Sequence, residues 1–173
     1  PPARRPARPT RAATAARGQD GTPHVAAAPA GTYRARARRA EARRLAAWFD
    51  VKFTAEVNAY LLHEKLEKRG RSLGAPDMEA IRIGRDMLRW HLDYMCGLLD
   101  QRDGLAGPRF TLADLVAAAH LSCIDYLGDV PWEDFPAAKA WYQRIKCRPS
   151  FRAILADRLP GCPPVDGYQD LDF

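Results

Sequence analysis

Four groups of side chains in this sequence are of types and spacings that could do chemistry. Arg44, Trp48 and Lys52 recur at steps of four, which on a helix sets a cation, an indole and a second cation along one stripe. Such a stripe either lines a ligand or partner pocket or packs between domains. His91 and Asp93 are an acid-base pair by type, but two positions apart on a helix they point in different directions, so neither is assigned a role. Cys96, Cys123, Cys147 and Cys162 stand far apart with no C-x-x-C pair. Gathering Cys96 with His91 or His63 reproduces no known zinc-ligand spacing. The cysteines are expected to be small buried hydrophobes, the histidines surface residues, and no metal site is expected.

The last group is the C-terminal tail. Pro163-Pro164 rules out a continuing helix, and the chain ends in Tyr168, Asp170, Asp172 and Phe173. Two side-chain carboxylates and the terminus give a local charge of −3 beside apolar rings, which suits a basic groove on a partner. A segment folded back on its own domain accounts for the same residues.

These groups need elements to hold them. Leu45, Trp48, Phe49, Phe53, Val57, Tyr60 and Leu61 recur at steps of three and four, which predicts a long amphipathic helix over about 37–68, ended by Gly70 and Gly74. Pro76-Asp77 opens a second helix, with the proline in its first turn and a stripe through Ile81, Gly84, Leu88, Leu92, Met95 and Leu99. The two should pack antiparallel. Thr111 and Asp114 then form a capping box, with Phe110 and Leu115 as a hydrophobic staple. Asp114 is read as a folding residue and not as a catalytic acid. Leu115 through Leu127 is apolar on nearly every side, so this helix is central and buried; His120 and Asp125 within it read as a hydrogen-bonded core histidine and a polar residue near the helix end. Pro136 opens a further helix, and Arg148-Pro149 breaks it and starts a short last one carrying Phe151, Ile154 and Leu155. No strand alternation and no repeat occurs. The fold class is all-α, about five helices around the buried one.

The chain has 173 residues, 47% hydrophobic and 28% charged, with a net charge of +6. The excess lies at one end: residues 1–40 hold nine Arg and one acid, a formal +8, leaving −2 for residues 41–173. Residues 1–35, built mostly from Ala, Arg, Pro and Gly, are read as a disordered arm; 36–160 form the helical domain and 161–173 the tail. No recognition motif accompanies the arginines, so nucleic acid is set aside as a partner. No apolar run approaches the ~20 residues that cross a bilayer, so no membrane insertion is expected. Unpaired cysteines without a secretory signal fit a cytoplasmic location. The opening at Pro1 reads as a fragment, or as a processed or misassigned start.

The block Phe110-Thr111-Leu112-Ala113-Asp114-Leu115-Val116-Ala117-Ala118-Ala119 carries a resemblance. With two long helices before it, and Ala140-Trp141-Tyr142 and Arg148-Pro149-Ser150-Phe151 after it, the region over about 37–160 resembles the C-terminal helical domain of the glutathione S-transferase superfamily. Trp48-Phe49-Asp50-Val51-Lys52-Phe53, the run Asp125-Tyr126-Leu127-Gly128-Asp129-Val130-Pro131-Trp132 and the ending Tyr168-Gln169-Asp170-Leu171-Asp172-Phe173 are similar to an alphaproteobacterial subgroup. Its members are transferase-like cell-division proteins that bind the tubulin-like protein FtsZ.

The resemblance implies a thiol-binding, thioredoxin-like domain ahead of the helices, which the arm does not supply. The chain is therefore expected to be inactive alone, with no catalytic residue and no cofactor; glutathione would enter only with the other domain present. In the superfamily the first helix faces that domain, which makes Arg44, Trp48 and Lys52 candidates for a substrate or partner pocket. Two functional readings remain. One is a non-catalytic FtsZ-binding interaction protein, either a monomer or a homodimer, whose tail residues Tyr168, Asp170, Asp172 and Phe173 meet the partner. The other is the helical half of a transferase that conjugates glutathione to a hydrophobic electrophile.

Overall fold

The computed structural model describes residues 30–173; of the arm expected to be disordered over 1–35, residues 1–29 lie outside them, and residues 30–35 are helical. Among the described residues the fold is all-α, with isolated bridges at Gly104–Gly107 and Leu159–Cys162 and no strand. The first helix, α1, is a continuous rod. It runs as Ala30–Ala47, then π-helical Trp48–Asn58, α-helical Ala59–Leu62, π-helical His63–Glu67 and Lys68–Gly70. It begins earlier than the boundary expected at residue 36 or 37, because Ala and Arg, which dominate residues 30–40, are strong helix formers.

The π-helical stretches were not expected, and the buried series explains them. Leu45, Phe49, Phe53, Val57 and Leu61 are all buried at strict steps of four. An α-helix of 3.6 residues per turn rotates such a series by about 40° per step, so it would swing away from the core. Wider turns keep it facing inward. The rod ends at Gly70, where Ser72 and Gly74 take positive φ.

Helix α2 spans Met78–Leu99. Its N-cap is Asp77, whose Oδ1 accepts from the amides of Glu79 at 2.9 Å and Ala80 at 3.3 Å. Pro76 thus lies before the cap and not in the first turn, because the aspartate takes the capping position. Arg44 meets Tyr94, Trp48 meets His91 and Glu64 meets Asp77, the low numbers of α1 against the high numbers of α2, so the pair is antiparallel as expected. Gly84 lets the rods touch: a Cβ there would lie 2.8 Å from Tyr60 Cβ and 3.0 Å from Leu61 Cγ.

Helix α3, Leu112–Tyr126, has Thr111 as N-cap and carries the expected capping box. Asp114 does more than close it. Its Oδ2 accepts from the Thr111 amide and hydroxyl, both at 2.8 Å, and its Oδ1 accepts from the Leu105 amide at 2.8 Å and the Trp141 indole at 2.9 Å. One buried carboxylate therefore joins the loop before α3, its first turn and the next helix. The expected staple is not a buried contact: Phe110 and Leu115 are 40% and 41% exposed, and the Arg148 guanidinium lies 3.8 Å from the Phe110 ring centre. Helix α3 is central through Ala113, Ala117, Ala118, Leu121 and Ile124, which are wholly buried, yet Leu112 is 56% exposed, so its first turn has an open side. Helices α4, Pro136–Lys146, and α5, Pro149–Leu155, each begin on their proline.

Candidate functional site

The stripe on α1 becomes an aromatic cluster once α2 packs against it. Trp48 stacks on Tyr94 at 4.9 Å and on Trp90 at 5.8 Å between ring centres. The Lys52 ammonium lies 5.4 Å from the Trp48 ring centre and 5.2 Å from that of Trp90, within the range of attraction between a cation and a π face. Arg44 donates to Glu41 at 2.9 Å and to the Tyr94 hydroxyl at 3.0 Å. The structure thus brings Arg44, Trp48 and Lys52 together, and it adds Trp90 and Tyr94, which the sequence reading did not single out.

His91 organises this cluster. It is fully buried, against the expectation of surface histidines. The Trp48 indole N–H donates to its Nδ1 at 3.1 Å, and its Nε2 lies 3.0 Å from Glu56 Oε2. Since the indole only donates, Nδ1 must accept, and the ring proton sits on Nε2 and is given to Glu56. Burial lowers the His91 pKa against the pull of Glu56. Glu56 is in turn ion-paired with Lys52, which lowers its own pKa. The chain Lys52, Glu56, His91, Trp48 is closed, with no ring nitrogen left for a metal or a proton transfer. Asp93 is exposed on another face, as its spacing required. The signal for His91 was its place three residues after Leu88, on the buried stripe of α2.

The stripe offers no free cation to a peptide carboxylate, because Arg44 is held by Glu41 and Lys52 by Glu56. Among the described residues no three His, Cys, Asp or Glu side chains form a metal-binding group, and no helix is long and apolar enough to cross a membrane. Cys123 and Cys147 are exposed, a correction to the reading of all four as buried, while Cys96 and Cys162 are half-buried. His120 is hydrogen-bonded as expected, to Asn58 at 2.9 Å and toward Asp50 at 3.2 Å. A separate groove of about 650 Å³ lies between the start of α1 and the loop before α3, lined by Arg38, Arg39, Arg43, Arg109 and Phe110.

The tail folds back on the domain. Tyr168 is 4% exposed, its ring edge-on to Tyr126 at 5.1 Å. Phe173 packs on Trp132 at 5.4 Å and Tyr142 at 6.0 Å, and its backbone oxygen accepts from Gln143 Nε2 at 3.1 Å. Leu171 and Phe173 rest against the core, while Asp170 and Asp172 are exposed. Of the four tail candidates, two rings therefore anchor the segment and two carboxylates face outward. The path to it is also fixed: the Tyr126 hydroxyl donates to the Cys162 carbonyl oxygen at 2.7 Å and accepts from the Leu159 amide at 3.0 Å.

Asp125 is not an ordinary polar residue at a helix end. It is buried and accepts from the Trp132 indole at 2.7 Å, and its Oδ2 lies 3.7 Å from the Nζ of Lys146, which is fully buried. Burial raises the Asp125 pKa and lowers that of Lys146, while their mutual attraction opposes both shifts.

Comparison with known proteins agrees with this architecture. Residues 75–149 match the family described as glutathione S-transferase, C-terminal domain. The chain is 64% identical over 137 residues to FtsZ-localized protein A of Caulobacter vibrioides, covering 79% of this chain and 60% of that protein. Among solved structures, FzlA from C. crescentus superposes with a TM-score of 0.78 at 58% identity, over 89% of this chain and 65% of that one. A glutathione S-transferase from Rhodospirillum rubrum F11 superposes with a TM-score of 0.77 at 52% identity, over 85% and 64%. The chain thus spans less than two thirds of the length of each of these proteins. The family match, the shared identities and the common helical fold identify residues 75–149 as part of a C-terminal helical domain of the glutathione S-transferase superfamily.

Proposed function

We propose that this domain belongs to a non-catalytic interaction protein of cell division that engages FtsZ in the cytoplasm, with Asp170 and Asp172 as its acidic contact surface. The observation that carries this reading is the high identity to a protein named for its localisation with FtsZ. The outward acids of the tail support it, since local charge of one sign beside apolar anchors favours a basic partner surface. The closed set of bonds around Trp48 supports a packing role for Arg44, Trp48 and Lys52 rather than a conjugation pocket. The proposal includes a homodimer, as the family resemblance implies.

Co-sedimentation with polymerised FtsZ tests it. The chain should pellet with the polymer, and the Asp170→Lys/Asp172→Lys variant should not, at unchanged helical content. If neither pellets, the same pair is tested in a longer chain with a thioredoxin-like domain ahead of residue 36. A longer chain that ignores the polymer overturns the reading. The transferase likeness favours a second reading, the helical half of a glutathione-conjugating enzyme. Saturable heat with millimolar glutathione, or turnover of a chlorinated aromatic acceptor, would put that reading first.

A further inference from the structure

Lys146 is the last residue of α4, a place where a lysine ordinarily reaches water and the helix carbonyls. Here it is fully buried, and its Nζ makes no hydrogen bond among the described residues. Three ring faces and one carboxylate surround it. The Phe173 ring centre is 4.0 Å from Nζ, those of Tyr142 and Tyr168 are 5.5 and 5.6 Å away, and Asp125 Oδ2 is at 3.7 Å. Two of the three rings come from the tail, and the nearest is that of Phe173.

An ammonium held out of water needs compensation. Asp125 supplies part of it, Asp170 adds a more distant negative charge, and the negative faces of the rings contribute as well. An aliphatic side chain at position 173 would cover the same spot without that quadrupole. The requirement is thus for an aromatic residue, not simply for apolar area.

We propose that Lys146 and Asp125, with Tyr142 and Trp132, form a binding site for an aromatic residue of the tail, and that Lys146 is the positioning residue that holds the tail docked through Phe173. The geometry of the tail gives this site its purpose. With Tyr168, Leu171 and Phe173 turned inward, Asp170 and Asp172 face solvent in a fixed arrangement, so a partner meets a preformed acidic ridge and not a free peptide. That consequence rests on the FtsZ reading; the docking itself does not.

The test is a double-mutant cycle on the full chain, read by hydrogen exchange of the Tyr168 and Asp170 amides. These donate to the Val165 and Gly167 carbonyl oxygens in the docked tail. Phe173→Leu should lower their protection about tenfold in the parent background. The same change should cost less than twofold on Lys146→Met, where no cation remains beneath the ring. Lys146→Met/Asp125→Asn provides a second background in which no unpaired charge is left buried. Equal losses in all backgrounds would show that Phe173 contributes only apolar area, and no loss in any would show that the tail is not held through residue 173; either overturns the site. Because no partner is present, these outcomes stand whether or not FtsZ binds. In co-sedimentation, Phe173→Leu should then weaken pelleting although both acids remain. Intact pelleting with an unprotected tail would refute the preformed ridge while leaving the FtsZ reading in place.

Discussion

The Trp48 indole donates to His91 Nδ1 at 3.1 Å, and this bond fixes the histidine as the neutral tautomer that carries its single proton on Nε2. A second proton would have to enter Nδ1, which already faces an N–H, so protonation breaks this bond between α1 and α2.

A pH dependence follows from that contact. His91 has a folded-state pKa below its ordinary 6.5 because it is buried. The unfolded chain therefore binds more protons, and the stabilisation is complete above about 6.5 and is lost as pH falls below it. Glu56 is held below its ordinary 4.5 by Lys52 and acts only in a more acid range. Denaturant titrations at pH 7.5 and 5.5 should show lower stability at 5.5, with a red-shifted Trp48 emission. His91→Gln should flatten most of this difference; an unchanged slope in that variant would remove His91 as the cause.

The capping box predicts unequal losses. Thr111→Ala removes one donor to Asp114 and should cost about 1 kcal/mol. Asp114→Ala strands the Leu105 amide and the Trp141 indole in the interior as well, and should cost about 3 kcal/mol or more. The double variant should fall well short of the sum, because both changes act on one set of bonds. Chemical denaturation of the four proteins measures this. Equal single losses would mean that the bonds of Asp114 to Leu105 and Trp141 contribute nothing.

Deleting residues 168–173 should lower the melting temperature by roughly 5–10 °C, since two aromatic anchors leave the core surface. The sequence left this open between a stapling segment and a free binding tail. The burial of Tyr168 supports stapling, so the deletion alone is a poor test of partner binding. A calorimetric scan of the truncated chain with an unchanged midpoint would contradict the docking.

How much of this was legible depended on the range of each signal. Thr111 with Asp114, Pro136 and Pro149 act within one turn, and the helix starts they marked are where the structure has them. The π-helical stretches were not legible, because steps of four count equally toward an α-helical stripe until their cumulative rotation is followed over five members. His91 escaped because a polar letter on an apolar stripe was not counted as part of it. Asp125 and Lys146 lie 21 residues apart, on α3 and the end of α4, and each alone resembles an ordinary polar helix end. Only the tertiary fold, with Phe173 laid across them, shows that they are buried together.

Gly128 is where the tail's approach meets the helical body, and it yields the last prediction. Its φ is +70°, and a Cβ built there would lie 2.7 Å from Val165 Cγ1. Val165 is also bound through its amide to the Tyr126 carbonyl oxygen at 3.1 Å. Alanine at 128 therefore meets two separate penalties, a left-handed backbone and a branched side chain that must move. Gly128→Ala should lower stability by about 1–3 kcal/mol and loosen the approach to the tail. Adding Val165→Ala removes the clash but not the backbone strain, so it should restore exchange protection of the Val165 and Tyr168 amides more than it restores global stability. Equal recovery of both would mean that the clash alone matters, and no recovery of protection would mean that the tail is held independently of the Gly128–Val165 contact.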